Sequence, residues 1–349
     1  MTVLLAGDIG GTKVDLQLVE STQEESTGKI KFHKLHCEHY LCRDFKSFDQ
    51  LAKQFLSTAG KFHHPEKACF AVAGPVADNC CELTNLDWQL DGQTLQNELK
   101  IDKVTLINDF AAIGYGVSAT SEFQTLQKGE LQEGAPCAVI GAGTGLGEAF
   151  LIQQQDGSYQ PYATEGSHAD FAAQDQEEFD LREYISTKQK LPHVSVERVV
   201  SGPGIVTIYK FLRDCREITS NSEEIKKVVQ KWEEANAEQR QKIQDPAPII
   251  TKAALERDPD SLCERTMQIF VKAYGAEAGN LALDILPFGG LYIAGGITLQ
   301  ILELIQRNDF MGAFIDKGRM KPLLEKIPVH IVNNKMIGVE GAVIYASRY

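Results

Sequence analysis

Apolar and polar positions alternate twice in the first twenty residues, on either side of a glycine pair. In "LLAGDIGGTKVDLQLV" (Leu4–Val19), Val14, Leu16 and Leu18 alternate with Lys13, Asp15 and Gln17. A period of two is that of a half-buried strand, so the stretch predicts strand, glycine turn, strand. A third strand is expected at 30–38, after the polar turn "STQEESTGK". The apolar spacing then lengthens to that of a helix near 47–59 and returns to a strand in "KACFAVAGPV". A helix start at Asp91, a strand at 102–109 and a small-residue helix "FAAIGYGV" follow. The opening pattern then recurs in "CAVIGAGTGLGEAFLIQ" (137–153), again strand, glycine loop, strand. Beyond Asp175 the pattern is helical: "DQEEFDLREYI", one long charged helix over 222–243, and an amphipathic helix over 261–286. "GLYIAGGI" and "IPVHIVNN" read as strands, and "KMIGVEGAVIYAS" as the terminal helix.

Alternating strands and helices predict an α/β protein. A length of 349 residues fits two domains. The recurrence of the glycine hairpin suggests two domains of similar plan.

Neither glycine loop is a Walker A or a dinucleotide fingerprint, because a strand rather than a helix follows each. "GAGTGLG" also misses the GxGxxG spacing by one residue. Glycine still lets backbone N–H groups approach a phosphate closely. Asp8, just ahead of the first pair, is a residue that a plain hairpin does not need and that a Mg²⁺–nucleotide site does.

Charge and cysteine usage narrow the class. The formal net charge of −13 argues against nucleic acid and against an anionic membrane surface as partners. No basic n-region precedes the first apolar run, so no signal peptide is expected. The uncharged run Ile285–Leu302 contains Pro287 and two glycine pairs, so a turn, a strand and a loop are expected there, with no membrane span. Eight cysteines without a CxxC suit a reduced, cytoplasmic protein. The stretch "HKLHCEHYLC" fails zinc spacing and reads as a strand.

Five signals occur in one order: DIGGTK, VTLINDF, GAGTGLG, AGGI and GVEGA. Their order resembles the two-domain actin-like (ribonuclease H-like) ATPase fold, with an interdomain cleft. "AVAGPV", "LTNLDW", "INDF", "EGSHADF" and "HVSVERVVSGPGI" narrow the resemblance to the bacterial-type ATP-dependent glucokinases, end to end. The zinc-binding cysteine cluster of the repressor-related sugar kinases is not matched. Ser167 stands where the family often has glycine.

The resemblance implies a small domain of residues 1–109 plus 335–349 and a large domain of 110–334. It implies transfer of the γ-phosphoryl group of ATP to D-glucose, with Mg²⁺. The two alternatives are a kinase for another hexose or amino sugar, and a non-catalytic sugar sensor. Asp109, at the end of a strand, is the expected general base; its competing role is to cap the helix that begins at Phe110. A sugar needs acceptors and two-way hydrogen-bonders, and Asn108, Glu165, His168 and Glu197 match the family's sugar-binding positions, with Asn85 a further candidate. Asp8, Gly10, Gly11 and Thr12 are expected at the ATP phosphates with Gly143, Thr144 and Gly145, and Gly295 and Gly296 at the adenosine. Asp8 would hold Mg²⁺ through water. Gly114 and Gly116 fit one small-residue helix and Gly338 and Gly341 a second, crossing at a hinge. The family also implies a homodimer.

Overall fold

The computed structural model describes residues 1–23, 30–60, 64–83, 86, 88–240 and 242–349. Asn85 and most of the expected turn at 21–29 lie outside the described residues. The strands are β1 (Thr2–Ile9), β2 (Lys13–Gln23), β3 (Ile30–Leu41), β4 (Lys67–Val72), β5 (Cys80–Leu83), β6 (Trp88–Asp91), β7 (Lys103–Asn108), β8 (Phe123–Gln127), β9 (Cys137–Ala142), β10 (Leu146–Gln153), β11 (Tyr159–Thr164), β12 (Leu291–Ala294) and β13 (Val329–Val332).

Contacts divide the chain into two compact units. The first comprises Met1–Glu122, Leu151–Ala163 and Asn334–Tyr349, and the second Phe123–Phe150 and Thr164–Asn333. This grouping differs from the division expected at 109/110. The helix Asp109–Val117 stays with the first unit because its small residues pack there: a Cβ on Gly114 would come within 2.7 Å of Pro161. The Tyr115 hydroxyl also donates to Gln160 Oε1 at 3.1 Å.

In the first unit the sheet order is β3-β2-β1-β4-β7. β1 runs antiparallel to β2 and parallel to β4, which runs parallel to β7. β1 is apolar on both faces because both are covered. Leu5 and Ile9 join the core with Phe48, Leu51 and Phe55, whereas Leu4 and Ala6 join Ala112, Tyr115, Val339 and Ala342. Val14, Leu16 and Leu18 of β2 are fully buried, as the alternation required.

The second sheet has the order β11-β10-β9-β12-β13-β8. Apart from β8 it repeats the plan of the first: the strand that enters the glycine turn, β9, lies parallel to the next two in line, β12 and β13. Its core is larger and is built on the helices Gly202–Cys215 and Ser261–Ile285. Ser201 caps the first of these by accepting from Gly204 N, and Asp260 caps the second by accepting from Cys263 N.

The expected helix over 222–243 is two. The segment Glu223–Glu234 ends at Ala235, whose backbone is extended, and Ala237–Arg240 begins anew. The break is a reciprocal cap: Gln239 N donates to Asn236 Oδ1 and Asn236 N to Gln239 Oε1, each at 2.9 Å. The charge pattern hid this Asn-x-x-Gln signal.

The run Ile285–Leu302 resolves into a turn with Gly290 at φ +119°, strand β12, and Gly295 at φ +95° as the N-cap of the short helix Gly296–Gln300, where a loop was expected. Among the described residues no helix is long and apolar enough to cross a membrane. The segment "HKLHCEHYLC" lies in β3 up to Leu41, as its apolar spacing implied.

Candidate active site

Ligands of open α/β sheets bind beyond the carboxyl ends of the parallel strands. In the first unit those ends belong to β1, β4 and β7. Ile9, Val72 and Asn108 lie in one register row, so Asp8 and Asp109 flank that row from strands two apart. Two strand spacings are about 10 Å, so both residues stand at the carboxyl-terminal end of the same sheet.

Asp8 is half-buried, with Asp15 opposite it in the β1–β2 ladder. Burial, reinforced by the charge of Asp15 and opposed by that of Lys13, pushes its carboxyl up to about 6. Its Oδ2 faces Gly338: a Cβ there would come within 2.9 Å. The glycine turn after Asp8 is closed by Gly10 N donating to Lys13 O at 3.0 Å, and Thr12 O accepts from Cys42 N at the same distance. The side chains of Thr12 and Lys13 are exposed.

Asn108 is the N-cap of the helix Asp109–Val117. Its Oδ1 accepts from Phe110 N at 2.9 Å and Ala111 N at 3.2 Å, and its Nδ2 donates to Gly74 O at 3.1 Å. It therefore locks the "AVAGPV" turn to the first turn of the helix. Capping, weighed above as the alternative role of Asp109, belongs mainly to Asn108. Asp109 Oδ1 also receives Phe110 N at 2.9 Å, which fixes the side chain at the helix start.

The helices Asp109–Val117 and Ile337–Arg348 touch backbone to backbone. A Cβ on Gly341 would overlap the Ala112 carbonyl, and one on Gly116 the Ile337 carbonyl. Gly114, expected at this crossing, packs on Pro161 instead.

In the second unit the loop Gly143–Gly145 follows β9. Gly143 N donates to Gly145 O at 2.7 Å, and Gly143 O accepts from Gly202 N at 2.9 Å. Thr144 is exposed at its tip. A Cβ on Gly143 would meet nothing closer than 4.0 Å and one on Gly296 nothing at all, so both backbones are open to close approach. Gly295 turns against the Ala142 carbonyl, where a Cβ would come within 2.6 Å.

Two motifs remote in sequence pair beside this loop. Phe171 N donates to Val194 O at 2.8 Å and Val196 N to Ala169 O at 3.0 Å. His193 clamps the turn, with Nε2 2.9 Å from His168 O and Nδ1 2.7 Å from Asp170 Oδ1. Glu165 and His168 are exposed, and the His168 Nε2 lies 3.6 Å from Glu165 Oε2. Glu197 Oε2 accepts from Leu146 N at 3.0 Å and fills the space beside Gly145. The structure thus brings Glu165, His168, Glu197 and the loop Gly143–Gly145 into one connected cluster.

Two supporting residues were missed in the sequence. Tyr274, fully buried, receives Ala142 N at its hydroxyl at 3.2 Å and lies 3.1 Å from Thr298 Oγ1, which itself donates to Ala294 O at 2.5 Å. This chain ties the residue before Gly143 to the residue before Gly295. Glu148, a carboxylate at a strand position in step with buried Leu146, was the one visible anomaly.

Comparison with known proteins agrees with this construction. The family model for glucokinase matches residues 5–349. The glucokinase of Trichormus variabilis (strain ATCC 29413 / PCC 7937) is 51% identical over 350 residues, covering 100% of each chain. The solved glucokinase from an Antarctic psychrotroph superposes with a TM-score of 0.75 at 27% identity, over 100% of both chains. A Balamuthia mandrillaris glucokinase in complex with glucose has a TM-score of 0.76 at 22% identity, over 100% of this chain and 94% of that one, which shows the fold alone. The fold of the chain is that of the actin-like ATPases.

Proposed function

The chain belongs to the glucokinase family, ATP-dependent kinases of glucose, and on that premise we propose that Asp109 is the general base of the transfer. The carboxylate accepts the proton of the glucose 6-hydroxyl as that oxygen attacks the γ-phosphorus of ATP. Phosphoryl transfer asks the protein for positioning, charge stabilisation and one proton acceptor. The observation that carries the assignment is the lock around Asp109: Asn108 pins the "AVAGPV" turn and caps the helix, so the carboxylate is held at the edge of β7.

On the second unit, Glu165, His168 and Glu197 serve as acceptors and two-way partners for sugar hydroxyls. The loops Gly10–Thr12 and Gly143–Gly145 offer backbone N–H groups to phosphate oxygens. The open backbone at Gly296 suits the adenosine.

Asp8 fits a Mg²⁺ site of the kind completed by phosphates and water. Among the described residues no group of three or more metal-ligating side chains occurs, and one carboxylate plus phosphates is a usual Mg²⁺ set. Burial and the charge of Asp15 disfavour the ionised form of Asp8, and a cation beside the carboxylate would relieve both. The ion would neutralise charge on the transferring phosphate. A homodimer in the cytoplasm is the reading that the family resemblance supports, and light scattering of the purified chain tests the dimer.

An ADP-release assay over a panel of hexoses and amino sugars tests the function. Glucose should give the highest kcat/KM, and Asp109→Asn should abolish turnover while glucose still binds by calorimetry. A variant that keeps a tenth of wild-type kcat would remove Asp109 from the role.

A further inference from the structure

Glu148, on the strand that follows the loop Gly143–Gly145, is only 3% exposed. Its Oε2 lies directly under Gly166, where any Cβ would overlap it. Its Oε1 has no hydrogen-bond partner among the described residues. On the other side it meets Glu277, a second buried carboxylate on the helix Ser261–Ile285, with Asp284 and Tyr274 of that helix also near. Glu277 in turn accepts from Asn280 Nδ2 at 2.8 Å. Lys317 donates from Nζ to Asn280 Oδ1 at 2.5 Å and to Ala276 O at 2.9 Å; burial raises the Glu277 carboxyl, and Asn280 and the charge of Lys317 oppose that rise.

A buried carboxylate without a cation of its own is costly, and an apolar residue of that size would fill the same space more favourably. A carboxylate at this place therefore points to a task. The residue it touches is the first of the turn Gly166–His168, between Glu165 and His168.

We propose that Glu148 is a positioning residue for the sugar site: held between Glu277 and Gly166, it sets the height of the turn that presents Glu165 and His168. The reading rests on the assignment of those two residues to the sugar. One proton is shared between Glu148 and Glu277. Glu148 keeps it and donates, because Lys317 and Asn280 compensate only Glu277. Burial and the neighbouring carboxylates raise Glu148 to about 8. Above that pH a second negative charge appears beside Glu277 and beneath Gly166, and the turn shifts. The charged or titratable groups facing Glu148 are Glu277, Asp284 and Tyr274 from the long helix, with Lys317 beyond Glu277.

Three full-length variants test the proposal: Glu148→Ala, Glu148→Gln and Glu165→Gln. Glu148→Ala empties the space beneath Gly166 and should raise the KM for glucose by about fivefold or more, with kcat and the KM for ATP within about twofold. Glu148→Gln keeps the shape and a donor, so it should match wild type at pH 7. It should also remove the rise in glucose KM that wild type shows as pH passes 8. Equal rises in both KM values for Glu148→Ala, or no rise in either, would overturn the proposal. If Glu148→Ala fails to fold, a glucose KM in wild type that is flat from pH 7 to 9 overturns it, and one that rises only in wild type supports it. Glu165→Gln separates the layers. An unchanged glucose KM there defeats the sugar-site assignment itself, whereas a raised one with silent Glu148 variants defeats only the present inference.

Discussion

Replacing Asp8 by asparagine should stabilise the protein while destroying its activity. The carboxyl of Asp8 is raised from 3.8 to about 6, first by burial and then by Asp15. A group whose folded value exceeds its unfolded one binds more protons when folded, so its contribution to stability declines as pH rises between those two values. Below pH 3.8 the group carries no penalty. Above pH 6 the penalty is complete, and a rise from 3.8 to about 6 sets its upper bound at about 3 kcal/mol. Asparagine has nearly the same shape and never ionises, so Asp8→Asn should gain stability that is near zero at pH 4 and about 1–3 kcal/mol at pH 7. Urea unfolding of both proteins at the two pH values, without nucleotide or metal, measures the difference. If Asp8 holds Mg²⁺ as proposed, the same variant should also lose ATP-dependent phosphorylation at every Mg²⁺ concentration. Equal gains at pH 4 and pH 7 would show that charge is not the cause. A loss of stability at pH 7 would show that the carboxylate is paired, and the reasoning would fall.

Asp109→Ala should lower kcat by about 10²–10⁴-fold with glucose binding retained, as single-turnover assays and calorimetry would show. Tyr274→Phe removes the hydroxyl that receives Ala142 N and joins Thr298, at a cost of about 1–3 kcal/mol. Its KM for ATP should rise while that for glucose holds, and equal shifts in steady-state kinetics would contradict the role given to Tyr274. Gly341→Val drives a side chain into the Ala112 carbonyl and should cost at least about 1–3 kcal/mol. A urea midpoint unchanged by that variant would mean that the two helices separate more readily than their contact implies.

The sequence alone determined the strands on either side of the two glycine loops, because a period of two in Val14, Leu16 and Leu18 can bury only one face, whereas the short strands β5, β6, β8 and β11 left no such pattern. It also determined the order of the chemical motifs, since Asp8, Asp109 and the "GAGTGLG" loop each sit at the end of an apolar run. Local pattern was read less well where short polar signals compete. Asn236 and Gln239 cap one another and break a helix that its charges describe as continuous. Only the tertiary structure decided which partners each side chain keeps. It gave the capping role chiefly to Asn108, set Glu197 against Gly145, paired the segment around His168 with that around His193, and moved Gly114 from the helix crossing to Pro161. It also exposed Glu148 and Tyr274 as supports. Periodicity reports whether a residue faces the core, but burial of a polar group is tolerable only with particular partners. Those partners come from strands and helices far away in the chain, so their identity is a property of the packed fold and not of any local stretch.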